Sequence, residues 1–176
     1  AYLSRYWKIF YSNSFANKLH PNFEKEYGIS VEKWFLCSFA IYSMFLKNLI
    51  INKKFKIAPE INISESDLQK YLNLSCYSVS EIRQRFFDLR KETPEEFHFL
   101  IRTAFVERPI ILLDEIKLIS PMPKMIFRHM GHGLNSLFEN IDSDGYYLGK
   151  SFQDYVEKTL RCLSRTVKMY SSEQLE

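Results

Sequence analysis

Residues 105–139 read FVERPIILLDEIKLISPMPKMIFRHMGHGLNSLFE, and the fold turns on how this stretch is parsed. Pro109-Ile-Ile-Leu-Leu113 is an apolar run, Asp114-Glu115 interrupts it, and Ile116-Lys-Leu-Ile119 resumes it around a polar Lys117. Two short isoleucine-rich runs about a two-residue acidic break predict a β-hairpin. Pro109 cannot donate to a ladder, so it belongs at the first residue of its strand. Pro121 and Pro123 close the second strand, and Pro123 suits the first turn of a helix, where its missing N–H has no role. A lone hairpin is marginal in water, so this one is expected to lie on a helical layer. No other stretch reads as strand.

Working outward, the rest of the chain is helical in pattern. Leu3, Trp7, Phe10 and Phe15 lie near helical spacing and predict one helix ending before His20-Pro21, then a polar connection over 22–28 closed by Gly28. Ser30 is an N-cap without a full capping box. The helix it begins, over 31–51, is apolar on nearly every side, as expected of the centre of a bundle. After an extended segment at 56–63, Ser64-Glu-Ser-Asp67 marks another helix start. Thr93-Pro-Glu-Glu96 predicts a capped helix that buries Phe97, Leu100, Ile101 and Phe105. Met125, Ile126, Met130, Leu134 and Phe138 predict an amphipathic helix over 123–138. Phe152, Val156, Leu160 and Leu163 predict a last one over 150–168.

The 176 residues are 46% hydrophobic, enough for one substantial core, and only 5 Gly and 6 Pro argue against a loop-rich sandwich. The expected fold is mainly α, a multi-helix bundle with an embedded helix-turn-helix and one small β-hairpin. Residues 1–55 would form an N-terminal helical core, 56–104 a helix-turn-helix-like segment packed on it, and 105–176 the hairpin and C-terminal helices. The missing initial Met and the terminal Leu175-Glu176 suggest one compact unit excised from a longer protein. Cys37, Cys76 and Cys162, odd in number and widely spaced, read as buried thiols of a reducing compartment. The longest uncharged run, 34–46, falls short of the roughly 20 residues a membrane span needs. A cytoplasmic protein without a membrane partner is expected.

Residues 64–89 carry the most specific pattern. Leu68 and Leu72 face inward from a first helix, Asn73 occupies a left-handed turn, and Leu74 plugs the corner. Ser75 or Ser78 caps a second helix with Val79, Ile82, Phe86 and Leu89 inward. The spacing resembles the bacterial helix-turn-helix family at five buried positions, Leu68, Leu72, Leu74, Val79 and Ile82; Gln69 departs from it where the family prefers a small residue. The resemblance implies that the second helix offers Tyr77, Ser78, Ser80, Glu81 and Gln84 to base edges, while Arg83, Arg85 and Arg90 meet phosphates. The bland alternative is a helical hairpin with its arginines in solvent. Residues 1–60 hold nine Lys/Arg against four Asp/Glu and residues 61–149 ten against thirteen; the basic N-terminal third could face phosphates or a membrane surface, and solvated lysines on ordinary helices are the favoured explanation.

Other chemistry is thin. His129 and His132 share a helical face at a spacing a metal would accept, yet no third ligand is near, so no metal and no cofactor is assigned. Asn140-Ile-Asp-Ser-Asp-Gly145 lacks the Glu of a calcium loop and is rejected as one. If the chain were an enzyme, Asp154, Glu157, His129 and His132 would be the residues to test; no catalytic residue is assigned.

Arg108-Pro-Ile-Ile111, Ile119-Ser-Pro-Met122 and Leu148-Gly-Lys-Ser-Phe152 with Tyr155-Val156 add a second resemblance. Their order is similar to that in uncharacterised bacterial proteins joining a helical N-terminal region to a PD-(D/E)XK, restriction-endonuclease-like domain. In that family the last segment resembles the opening helix of the nuclease, with Glu after Phe; Gln153 stands here instead, so no metal-assisting acid is carried over. The defining Asp and Glu-x-Lys elements would lie downstream. The resemblance implies a non-catalytic nucleic-acid-binding or regulatory module of a nuclease-type protein, in phage defence or a mobile element, with DNA as partner. The alternative is a helical scaffold for a protein partner or for self-association, with no nucleic-acid role.

Overall fold

The computed structural model describes residues 2–11, 14–95 and 104–163. Helix α1 spans Tyr2–Phe10 and α2 spans Ser14–Tyr27, so the expected single N-terminal helix is two. α2 also runs through His20-Pro21 instead of stopping there. Ala16, Leu19 and Phe23 are all buried on one face, and burying a large side chain is worth about 1.5–3 kcal/mol against roughly 3 kcal/mol for an internal proline. The predicted connection at 22–28 is therefore mostly helix, ended by Gly28 at φ +68°, whose N–H donates to the Glu24 carbonyl at 2.8 Å.

Helix α3, Val31–Phe45, is capped by Ser30 as expected: the Lys33 N–H donates to Ser30 Oγ at 3.2 Å. Trp34 lies at its centre, fully buried, with its ring edge-on to Tyr71 and Phe23 and Nε1 donating to the Met130 carbonyl at 3.2 Å. α3 is shorter than the apolar run that encodes it. Phe39, Leu46 and Leu49 are 52, 62 and 79% exposed, and Ile50–Asn52 leaves the helix as strand β1.

After a 3-10 turn at Pro59–Ile61 come α4 (Glu65–Ser75), strand β2 (Cys76–Ser78) and α5 (Val79–Glu92). Two helices do occupy 64–89, but the turn between them is not the predicted one. Asn73 is helical; Asn62, which ends the 3-10 turn at φ +53°, is the non-glycine residue with positive φ among the described residues. Helix α4 continues to Ser75, and Cys76–Ser78 is drawn out as a strand because β3 offers it a ladder. α4 packs chiefly against α3, whereas α5 packs chiefly against β2, β3 and α6, so the two helices share less contact with each other than with these neighbours. Gln69 faces solvent and donates to Asn73 Oδ1 at 2.7 Å, away from any close helix approach. Thr93 ends α5 in an extended conformation; the rest of the helix expected from Thr93-Pro-Glu-Glu96, with Phe97, Leu100 and Ile101, lies outside the described residues.

A short helix α6, Ala104–Glu107, leads to β3 (Ile110–Leu112) and β4 (Lys117–Ile119). These form the predicted antiparallel hairpin. Asp114 makes its turn, Oδ1 accepting the N–H groups of Ile116 at 2.9 Å and Lys117 at 2.7 Å. The sheet is larger than one hairpin. Its order is β1-β4-β3-β2, with β1 antiparallel to β4 (Ile50 opposite Ile119) and β2 parallel to β3 (Cys76 opposite Ile110). The parallel pair needs a crossover, and α5 and α6 lie within it. Ile110 and Leu118 are completely buried.

Helix α7, Pro123–Ile141, starts on Pro123 as predicted and buries Ile126, Met130, Leu134 and Phe138 against α3 and α2. Helix α8, Tyr146–Leu163, packs on α2 and α1 with a different phase from the one predicted. Phe152 and Leu160 are 58 and 43% exposed, while Tyr147 and Leu148 pack on the core and Ser151 is buried. Among the described residues no helix is long and apolar enough to cross a membrane.

Candidate nucleic-acid interface

The eight residues expected to meet nucleic acid all lie on β2 and α5 but not on one face, and several are already committed within the chain. Ser78 and Glu81 form a capping box: the Glu81 N–H donates to Ser78 Oγ at 3.2 Å and the Ser78 N–H to Glu81 Oε2 at 2.7 Å. These hydrogen bonds hold the Glu81 carboxyl below its usual range. Gln84 Nε2 donates to Asp88 Oδ1 at 2.8 Å, and Ser80 Oγ lies 3.0 Å from Ser78 Oγ.

Arg85 is engaged by two carboxylates. Its Nε and Nη2 donate to the two oxygens of Glu107 at 2.8 and 2.6 Å, and Nη1 lies 3.6 Å from Glu92. Tyr77 adds a hydrogen bond of 2.9 Å from its hydroxyl to Glu107 Oε2. The bidentate arginine holds the Glu107 carboxyl below the carboxylate range. Partial burial and then the Glu107 hydrogen bond push the Tyr77 hydroxyl up to about 12. Arg108, on the far side, stands 4.9 Å over the Tyr77 ring and donates to the Cys76 carbonyl at 3.3 Å. Arg85 and Tyr77 are thus the clasp between α5 and α6.

Arg83 is different. It is exposed on the outer face of α5 with Ser80, Gln84, Arg90 and Lys91. Phe87 completes that face, 58% exposed with Lys91 Nζ 4.7 Å from its ring centre. Sequence reasoning missed Phe87 and Lys91, although Phe87 lies three and four positions from Gln84 and Arg83. It also missed Arg108.

The other candidates do not converge. His129 is buried and His132 exposed, the latter edge-on to Tyr6 at 5.9 Å. His129 Nε2 lies 3.2 Å from Ser75 Oγ. Burial pushes this imidazole down to about 3, the Val106 backbone acting weakly the other way. Ser75 is itself sealed from solvent, so the pair cannot present a nucleophile. His129 lines a cleft of about 520 Å³ together with Tyr77, Glu107, Arg108 and His132, and Ser75 does not reach it. Asp154 is paired with Lys158 at 2.8 Å and Glu157 with Arg161 at 2.6 Å along α8, an element packed on α1 and α2 rather than beside these histidines. Among the described residues no three His, Cys, Asp or Glu side chains are grouped as a metal would need. The cysteines are free thiols, but only Cys37 is fully buried; Cys76 is half-buried and Cys162 exposed, which corrects the expectation of three buried thiols. No protein-family model matches the chain, and no curated protein or solved structure is significantly similar to it.

Proposed function

We propose that this chain is a non-catalytic nucleic-acid-binding or regulatory module, of the kind that would accompany a PD-(D/E)XK nuclease domain in a phage-defence or mobile-element protein. The observation that supports the reading is the outer face of α5, where Ser80, Arg83, Gln84, Phe87 and Lys91 stand side by side in solvent. Guanidinium and ammonium groups flanking an exposed aromatic ring suit a nucleic-acid backbone and an unstacked base. Base reading by a groove-inserted helix has less support, because the capping box and the Glu107 clasp occupy Tyr77, Ser78, Glu81 and Arg85. The three free thiols fit a cytoplasmic setting.

Fluorescence anisotropy with a labelled duplex and a labelled single strand tests this across a salt series. The reading expects affinity to fall with salt, and Arg83→Ala with Lys91→Ala to reduce the log–log slope by roughly 0.9 per lost phosphate contact on duplex DNA. Absence of binding at low salt, or a slope unchanged by the double substitution, rejects it. Rejection together with a dimer mass by light scattering would favour the protein-interaction scaffold.

A further inference from the structure

We propose that the open edge of β1, with the groove beside it, binds an extended segment of a partner protein in which acidic residues alternate with aliphatic ones. β1 is the terminal strand of the sheet. The Lys53 N–H donates to the Ile116 carbonyl at 2.6 Å, so residues 51 and 53 turn their main chain toward β4, and the alternation of an antiparallel ladder turns that of Ile50 and Asn52 outward. The Asn52 carbonyl is used by the Phe55 N–H at 3.0 Å. Among the described residues the Ile50 N–H and carbonyl and the Asn52 N–H have no main-chain partner, which makes them a template for another strand.

Side chains along this edge set the chemistry of the occupant. Leu46, Leu49 and Ile50 are 62, 79 and 51% exposed. A groove of about 330 Å³ begins at Lys53, the residue after β1, and is lined by the apolar Phe55, Ile57 and Ile63 and by Lys53, Lys54 and Lys56. From residue 33 to residue 59 the chain has five lysines and no acidic residue. Lys33 is held by Asp67, while Lys47, Lys53, Lys54 and Lys56 have no ion pair among the described residues. Among the described residues Glu65 is the one acid lining the groove, and Asp114 on the β3–β4 turn is paired with Lys117.

An acidic, aliphatic strand satisfies all three features at once, giving main-chain hydrogen bonds at the edge, apolar filling of the groove and carboxylates for the lysines. A second copy of this chain would set lysines against lysines. Nucleic acid would meet the lysines but has no use for an aliphatic surface or a strand edge.

The test is fluorescence polarisation with a labelled octapeptide alternating Val and Glu, against its Val–Lys counterpart. The acidic peptide is expected to bind at least tenfold more tightly. Ile50→Pro, which removes an outward N–H that the sheet does not use, and Lys54→Glu should each weaken it at least tenfold with the circular dichroism unchanged. Arg83→Ala with Lys91→Ala should leave it unaltered, so this site stands or falls separately from the α5 face. Equal binding of the two peptides, indifference to both β1-edge variants, or displacement of the peptide by duplex DNA at equal charge concentration would overturn the proposal.

Discussion

Gly131 and Gly133 show how much a single missing methyl group decides. A Cβ on Gly131 would lie 2.2 Å from the Tyr6 ring, and one on Gly133 would lie 2.3 Å from His129 Nδ1. Glycine in a helix costs about 1 kcal/mol relative to alanine, so these two are retained for the close approach of α1 and of the buried imidazole. Gly133→Ala is expected to lower the unfolding free energy by about 1–3 kcal/mol, because His129 is sealed in and cannot move aside. Gly131→Ala should cost less, since Tyr6 is half-buried and can shift. Gly149→Ala, with nothing within 4 Å of the new atom, should instead stabilise by up to roughly 1 kcal/mol. Denaturant midpoints of the three variants check the order. The two α7 glycines mark close packing. The partners, Tyr6 from another helix and His129 four positions back, become visible only once the helix is placed.

Among the elements, α4 and α5 each begin with a reciprocal capping box, Ser64 with Asp67 and Ser78 with Glu81. Each box satisfies N–H groups that a helix start leaves without partners. Ser64→Ala and Ser78→Ala are expected to cost about 1 kcal/mol each, and to add in the double variant because the boxes share no group. Chemical denaturation of the two single variants and the double one measures this. Ser75, the other cap considered for α5, has a different task as the buried partner of His129. The Ser64 cap was legible without the fold, while Ser78 was one of two caps considered for α5 and its pairing with Glu81 came from the structure. β1 and β2 were not legible, for each is three residues long and carries no alternation. Isoleucines 50 and 51 read as the tail of α3, and Cys76–Ser78 as the capped start of the second helix. Their strand character comes from β4 and β3, neighbours that lie far along the chain.

For the molecule as a whole, the fully buried His129 and the half-buried His20 lower stability as the solution is acidified. His129 has a folded value of about 3 against 6.5 for the free side chain, and burial lowers His20 as well. Between those values the unfolded chain binds the proton and the folded chain does not, so stability rises with pH across that window and falls as the solution is acidified. Glu81 and Glu107, depressed by their hydrogen bonds, lose their contribution only below the ordinary carboxylate range. The loss between about pH 6.5 and pH 4.5 therefore belongs to the histidines. His129→Gln should make the unfolding free energy measured at pH 5 and at pH 7 differ less than in the parent. An unchanged difference would mean that His129 is not the buried neutral group described.

Helical periodicity, the Ser30 and Ser64 caps, the proline-started α7 and the Asp114 hairpin could all be read from residues a few positions apart, because the interactions that make them are that local. Three other features were settled by partners distant in the chain: the four-stranded sheet, the outward phase of Phe152 on α8, and the difference between a clasped Arg85 and an open Arg83. Glu107 is 22 residues from Arg85, and helical spacing places an arginine on a face without saying what that face meets. Burial and charge pairing arise when elements pack together, so the candidate interface took its final membership from the assembled fold.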